Sequence, residues 1–319
     1  MMKSQLNFGI LGCGMISHVH AKAICSLSNA RLAGAADISR ENAENFSKSY
    51  GIRAYDSFHA MLEDPEIDAV CICTPSGFHE PNAIDALDAG KHVVLEKPMA
   101  LSTEGADRIV EACRRNNRLL TVISQLRFSP DIQRVKTMLR QNRFGRLVLC
   151  DLSMKYWRDE SYYASSSWKG TFRYDGGGAL MNQGIHGVDL LRYLAGDFTV
   201  VSGLCSTIHH RIEAEDTAAA LIRFQSGAMG VIQTSTAAYP GFDRRIELTG
   251  ECGSVVLREN RIEQLTLRDG TSERYDVGEM QMSRDPAAVS HDMHALQLAN
   301  LIDAVNGEAR LLSDAEEGR

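Results

Sequence analysis

The sequence predicts an α/β domain with a doubly wound parallel sheet, followed by an α+β domain built on an open, mostly antiparallel sheet. Three observations predict it. A glycine turn, Gly12-Cys13-Gly14, ends the apolar run 6–11 and opens a helical pattern. Strand and helix patterns then alternate as far as Ser124, and from about Gly145 they give way to strands separated by turns. Single hydrophobic cores stop growing at roughly 250–300 residues, so 319 residues call for two domains, placed at 1–124 and 125–319.

Composition narrows the function. At 44% hydrophobic and 24% charged, the chain has ample core material for a packed enzyme or binding protein. A net charge of -7 and no Lys/Arg-rich run argue against a nucleic-acid partner. No apolar stretch approaches the ~20 residues that span a bilayer, and the first strand follows Met1-Met2-Lys3 almost at once, so a cytoplasmic protein off the membrane is expected. The eight cysteines form no C-x-x-C pair, so neither a metal site nor a disulfide framework is expected.

The first strand is read at 6–11 and the first helix at 18–27. A second strand follows at 32–37 and a second helix at 41–50, so the glycine turn lies inside a βαβ unit. Such a turn lets the backbone of Gly12, Cys13, Gly14, Met15 and Ile16 approach a pyrophosphate, whose charge meets the N–H groups of a helix N-terminus. This is the dinucleotide-binding Rossmann pattern, with Ser17 in place of its third glycine. Asp37 stands 20 residues beyond Ser17 and ends the second strand. There a carboxylate accepts from both adenosine ribose hydroxyls and repels a 2′-phosphate, which favours NAD over NADP. Ser39 and Arg40 read two ways: as the groups a 2′-phosphate seeks, which keeps NADP open, or as a helix cap and a solvated first-turn arginine.

The alternation continues with strands at 68–74, 92–95 and 119–124 and helices at 80–89 and 102–117. Ligands bind at the carboxyl ends of such strands, so Thr74, Pro75, His79, Glu96 and Lys97 join the cofactor-binding candidates.

Together these residues resemble the Gfo/Idh/MocA oxidoreductase family, through the glycine turn, Cys73-Thr74-Pro75 with His79, and Gly90 to Pro98. Trp168-Lys169-Gly170, Gly176-Gly177-Gly178 and Asn182 to Asp189 resemble the family's second-domain signature. The resemblance implies a lysine and a histidine, here Lys97 and His186, converging on one substrate carbon, and a cis peptide before Pro98. Oxidising a secondary alcohol needs a base for the hydroxyl proton and a cation for the developing alkoxide. Apart from that role, Lys97 also reads as an exposed strand-end lysine, and His186 as a core histidine bonded to Asp189. The commonest family form has an aspartate four residues before the histidine. This chain has Asn182, which can orient an imidazole or bond a substrate hydroxyl but cannot stabilise imidazolium by charge. Asn182 is therefore kept as a catalytic and substrate candidate, and Asp189 as a substrate candidate that could also share the base role.

In the second half, strands are read at 147–156, 200–208, 217–224, 228–236, 244–249, 254–257 and 262–267, with a helix near 185–194. The aromatic and charged stretch 158–175 suits a sugar, so Trp168, Arg173 and Asp175 are nominated for substrate contact, against the alternative of a loop packed over a core edge. The resemblance implies a homodimer or homotetramer through the second-domain sheet. A helical pattern at 294–306 precedes a helix start at 314–319 that family members carry further. The leading function is hydride transfer between NAD and a secondary hydroxyl or ketone of a sugar, polyol or cyclitol. The alternatives are NAD-dependent glycoside cleavage, marked by tightly kept NAD without net NADH, and a non-catalytic nucleotide sensor, which would need neither Lys97 nor His186.

Overall fold

A computed structural model describes residues 5–278 and 290–319. The chain divides into two compact units, one of Met1–Gln125 with Val289–Arg319 and the other of Leu126–Ala288.

The first unit runs β1 (Leu6–Leu11), α1 (Met15–Cys25), β2 (Ala30–Ala36), α2 (Arg40–Tyr50), β3 (Arg53–Ala54), α3 (Phe58–Leu62), β4 (Ala69–Ile72), α4 (His79–Asp88), β5 (His92–Leu95), α5 (Thr103–Asn116) and β6 (Leu120–Val122). All pairs are parallel, in the order β3-β2-β1-β4-β5-β6, the doubly wound order the glycine motif predicts. Alternate residues feed opposite faces: Phe8, Ile10 and Cys71 pack on one side, Val70, Ile72 and Leu95 on the other. Helices cover both faces, which is why β4 is buried throughout. Ser39, Ser57 and Ser102 cap α2, α3 and α5 by accepting backbone N–H groups, so each helix starts where its sequence signal stands.

The second unit carries α6 (Pro130–Arg140), β7 (Leu147–Lys155), α7 (Glu160–Ala164), a π-helical turn at Ala179–Gly184, α8 (Ile185–Ala195), β8 (Phe198–Ser206), β9 (Thr217–Phe224), β10 (Met229–Ser235), β11 (Arg245–Gly250), β12 (Gly253–Arg258), β13 (Arg261–Leu267) and β14 (Ser272–Arg274). Its sheet has the order β14-β13-β12-β11-β7-β10-β9-β8, antiparallel except for β7 with β10. Leu190, Leu191 and Leu194 of α8 and Ile132 and Val135 of α6 pack on Leu152, Met154, Ile246 and Leu248 of one sheet face. The other face leaves Leu149, Leu221 and Met229 exposed, with Leu204 at 83%.

The chain then returns to the first unit as α9 (Asp292–Val305) and α10 (Ala315–Gly318). This revises the expected boundary, which gave all of 125–319 to the second domain. Leu298, Leu301 and Ile302 of α9 join the core formed by Phe8, Ala21 and Ile24. The buried Gln297 donates to Thr121 Oγ1 and the Val122 carbonyl at 2.8 Å, and Val122 N–H donates to the Ser313 carbonyl. A chain that continues the edge of a sheet by such bonds belongs to that sheet. No helix among the described residues is long and apolar enough to cross a membrane.

Candidate functional site

The nucleotide cradle lies where the strand order reverses between β1 and β4. Gly12 has φ +89°, and a side chain there would put its Cβ 2.8 Å from the Cys73 carbonyl oxygen. Only glycine fits. At Gly14 nothing stands within 4 Å of the missing Cβ, which leaves open space at the start of α1. Met15 is exposed and Ile16 half-buried on the first turn, while Ser17, buried, donates its hydroxyl to the Gly14 carbonyl and packs as a small residue should at the third motif position. Asp37 Oδ2 accepts the Cys13 N–H at 2.7 Å and Oδ1 accepts the Ser39 N–H at 2.8 Å. A carboxylate oxygen has a second acceptor site, so Asp37 anchors the turn and retains capacity for ribose hydroxyls. Burial and the Asp37 charge push the Cys13 thiol up to about 12, so no thiolate opposes a pyrophosphate. Ser39 caps α2 and Arg40 pairs with Glu44 at 2.7 Å, the cap-and-surface alternative for both. The residues therefore fit a dinucleotide.

At the ends of β4 and β5 one assignment changes. His79 is buried, with Nδ1 2.6 Å from the Pro98 carbonyl oxygen and Nε2 2.9 Å from that of Thr74. Both ring nitrogens are spent on backbone, so His79 is not a cofactor ligand. The Thr74 hydroxyl accepts from Asn82, and Pro75 leads into the tight turn Ser76–Phe78 before α4. The Lys97-Pro98 peptide is cis. Glu96 is also buried: its Oε1 lies 2.8 Å from His20 Nε2 and its Oε2 accepts the Lys97 N–H at 3.2 Å. Burial alone would raise the Glu96 carboxyl; the hydrogen bond and charge of His20 outweigh it and hold the group at about 2. Glu96 thus braces the lysine's backbone, and His294 of α9 closes the group edge-on to His20.

In the second unit a different cluster forms. Asn182, in the π-helical turn before α8, donates Nδ2 to Asp175 Oδ1, while its Oδ1 accepts Gln183 Nε2 at 2.7 Å. Asp175 Oδ2 accepts the Gly170 N–H at 2.9 Å. Arg158, buried, donates to Gln183 Oε1 at 3.2 Å. Tyr162, Tyr163, Asp175, Gly178, Asn182 and Gln183 line a small cavity. Glu215 accepts the N–H groups of Gly178 and Leu180, and a Cβ on Gly178 would lie 1.7 Å from the Glu215 carbonyl oxygen, which accounts for this glycine of the triplet. His186 is the second residue of α8 and half-buried.

Three nominations fall outside this cluster. Asp189 is gripped bidentately by the buried Arg127, with contacts of 2.6–3.1 Å, so it is an ion-pair partner and neither a substrate ligand nor a shared base. Arg173 is exposed over the Tyr174 ring, and Trp168 is half-buried with its carbonyl accepting from Thr171.

The matches to known proteins agree with this architecture. Residues 6–124 match the family model described as oxidoreductase family, NAD-binding Rossmann fold, and residues 132–256 match the GFO/IDH/MocA C-terminal domain. The chain belongs to the Gfo/Idh/MocA oxidoreductases. A crystal structure of the WlbA dehydrogenase from Bordetella pertussis, in complex with NADH and UDP-GlcNAcA, is 33% identical over 100% of this chain and 92% of that one, with a TM-score of 0.89. Its counterpart from Chromobacterium violaceum, with the same ligands, is 31% identical over 100% and 91%, with a TM-score of 0.87. The scyllo-inositol 2-dehydrogenase (NAD(+)) of Bacillus subtilis is 27% identical over 99% of this chain and 91% of its own length. This Gfo/Idh/MocA chain is thus an NAD-binding oxidoreductase.

Sequence reading missed Tyr162, Gln183, Arg158 and Glu215 in the second unit, and His20 with His294 in the first. Gln183 could have been found, since it adjoins Asn182 in the signature. Arg158 stands 25 residues from Gln183 and Glu215 stands 37 from Gly178, and each meets its partner only through the fold.

Proposed function

We propose that this enzyme oxidises a secondary hydroxyl of a sugar and passes the hydride to NAD. The Asp175–Asn182–Gln183 chain carries the reading, because a carboxylate and two oriented amides beside tyrosines are the donors and acceptors that sugar hydroxyls need. The similarity to two dehydrogenases solved with UDP-GlcNAcA favours a nucleotide-linked sugar acid as the first substrate to try, ahead of the inositols of less identical relatives.

NAD, when bound, supplies the hydride acceptor. Lys97 and His186 handle the proton: a cation favours the developing alkoxide, and an imidazole in its neutral form accepts the hydroxyl proton. Asn182 and Gln183 orient, since neither amide titrates. The cofactor-facing residues are Gly12, Cys13, Gly14, Met15, Ile16, Asp37, Thr74, Pro75 and Lys97. The exposed stripe through Leu149, Leu204, Leu221 and Met229 supports a homo-oligomer through this sheet face.

The test is a panel of nucleotide sugars, free sugars, uronates and inositols, followed by NADH absorbance with NADP in parallel. NADH formation with a sugar and its loss in Lys97→Ala are expected. Turnover of inositols alone would overturn the sugar assignment, and full turnover by Lys97→Ala would remove that residue from the chemistry.

A further inference from the structure

We propose that His79 is a positioning residue for Lys97, stapling the turn after β4 to the turn after β5 through backbone carbonyls. This rests on the reading of Lys97 as a proton-handling residue.

The geometry is specific. Pro98 directly follows Lys97, and its carbonyl meets His79 Nδ1 at 2.6 Å; on the ring's far side Nε2 meets the Thr74 carbonyl at 2.9 Å. Carbonyl oxygens only accept, so a bond to either uses a ring N–H. Burial holds the His79 imidazole below its ordinary value, so the neutral ring donates its single N–H to one of the two carbonyls and is packed against the other. The ring is 1% exposed, so water cannot take over a bond that is lost. His79 itself is fixed as the first residue of α4, behind a turn closed by Phe78 N–H on the Pro75 carbonyl at 2.9 Å. On the other side of Lys97, Glu96 Oε2 accepts the lysine's own N–H, and Glu96 N–H donates to the Ile72 carbonyl at 3.2 Å. The lysine backbone is thus held from before by Glu96 and from after by His79. A reacting group displaced by about 1 Å can cost about 10²-fold in rate, so such a brace matters to turnover more than to binding.

The experiment compares His79→Leu, which removes the ring's polar contacts with both carbonyls, with His79→Gln, which keeps an amide donor, and with Lys97→Ala. In the holoenzyme, kcat of His79→Leu should fall about 10²-fold while the NADH dissociation constant, read by fluorescence, stays within about twofold; His79→Gln should recover part of the rate. Amine labelling with trinitrobenzenesulfonate, read by peptide mass spectrometry, gives a measure without turnover: the Lys97 rate should change in His79→Leu while that of the exposed Lys48 does not. An unchanged kcat together with unchanged Lys97 labelling overturns the proposal, as does an equal loss of NADH affinity and kcat. If Lys97→Ala turns over normally, the reading of Lys97 fails. If Lys97→Ala is inactive and His79→Leu runs at the wild-type rate, only the present proposal fails.

Discussion

Asn182 donates its side-chain amide to the buried carboxylate of Asp175, so the pair holds one negative charge where an aspartate at 182 would place two carboxylates against each other. Like charges at that distance cannot both ionise cheaply. Asn182→Asp should therefore lower both Tm and kcat/KM. The double variant Asp175→Asn/Asn182→Asp, which returns the pair to one charge, should recover Tm, with a coupling of about 1–3 kcal/mol in a double-mutant cycle. Additive single effects would show that the two side chains do not share that charge.

Asp189 belongs to stability, and its removal should cost accordingly. The Arg127 side chain is 1% exposed and spans both Asp189 oxygens. Asp189→Ala removes the carboxylate that grips this buried guanidinium bidentately, at a cost of about 3–5 kcal/mol in urea unfolding, whereas Arg127→Met/Asp189→Leu should cost less. A loss below about 1 kcal/mol for Asp189→Ala would mean the charge is compensated by solvent.

The contrast between these two aspartates shows what a sequence can reveal. Gly12, Gly14 and Asp37 were legible because each satisfies a local demand, a tight turn or a strand end, within one βαβ unit. The strand and helix alternation was legible for the same reason, since side-chain periodicity is set locally. Asp189 was misjudged because its neighbours in sequence suggest a site, while Arg127, 62 residues earlier, claims it in space. His79 was misjudged in the same way, as its partners are backbone carbonyls that carry no sequence signature. The return of α9 to the first unit was not legible because it turns on Gln297, a polar residue that is buried where Thr121 and Val122, some 175 residues earlier, accept its amide.

Asp37 has two duties, and its replacement should reveal both. Asp37→Ala releases the Cys13 and Ser39 N–H groups, which loosens the glycine turn for either cofactor, and it also removes the charge that repels a 2′-phosphate. Affinity for NAD should fall more than affinity for NADP, so the NADP-to-NAD preference rises although both bind less well. Titrating both cofactors against wild type and Asp37→Ala checks this. An unchanged ratio with both affinities reduced would leave Asp37 as a turn anchor only.

The His20–Glu96 pair fixes the sign of an acid effect. Glu96 titrates at about 2, against an ordinary 4.5, because His20 outweighs the cost of burial. A depressed carboxyl contributes stability that is present above its unfolded value and lost as pH falls through the folded one, so this contribution fades between about pH 4.5 and 2 and is worth about 3 kcal/mol at neutral pH. His20 has the opposite sign. Burial opposes its charge, but contacts with Cys73, Cys71 and Glu96 hold it well above 6.5, so its contribution is full below 6.5 and is lost as pH rises through the raised value. The two windows overlap at neutral pH, where both groups are charged and the Lys97 turn is braced. Glu96→Gln removes the carboxyl titration. Urea unfolding from neutral pH down to about 3 should show a gap between wild type and Glu96→Gln that is widest near neutrality and narrows steadily in acid. A gap that stays constant through the acid range would mean that Glu96 does not carry its charge in the folded protein.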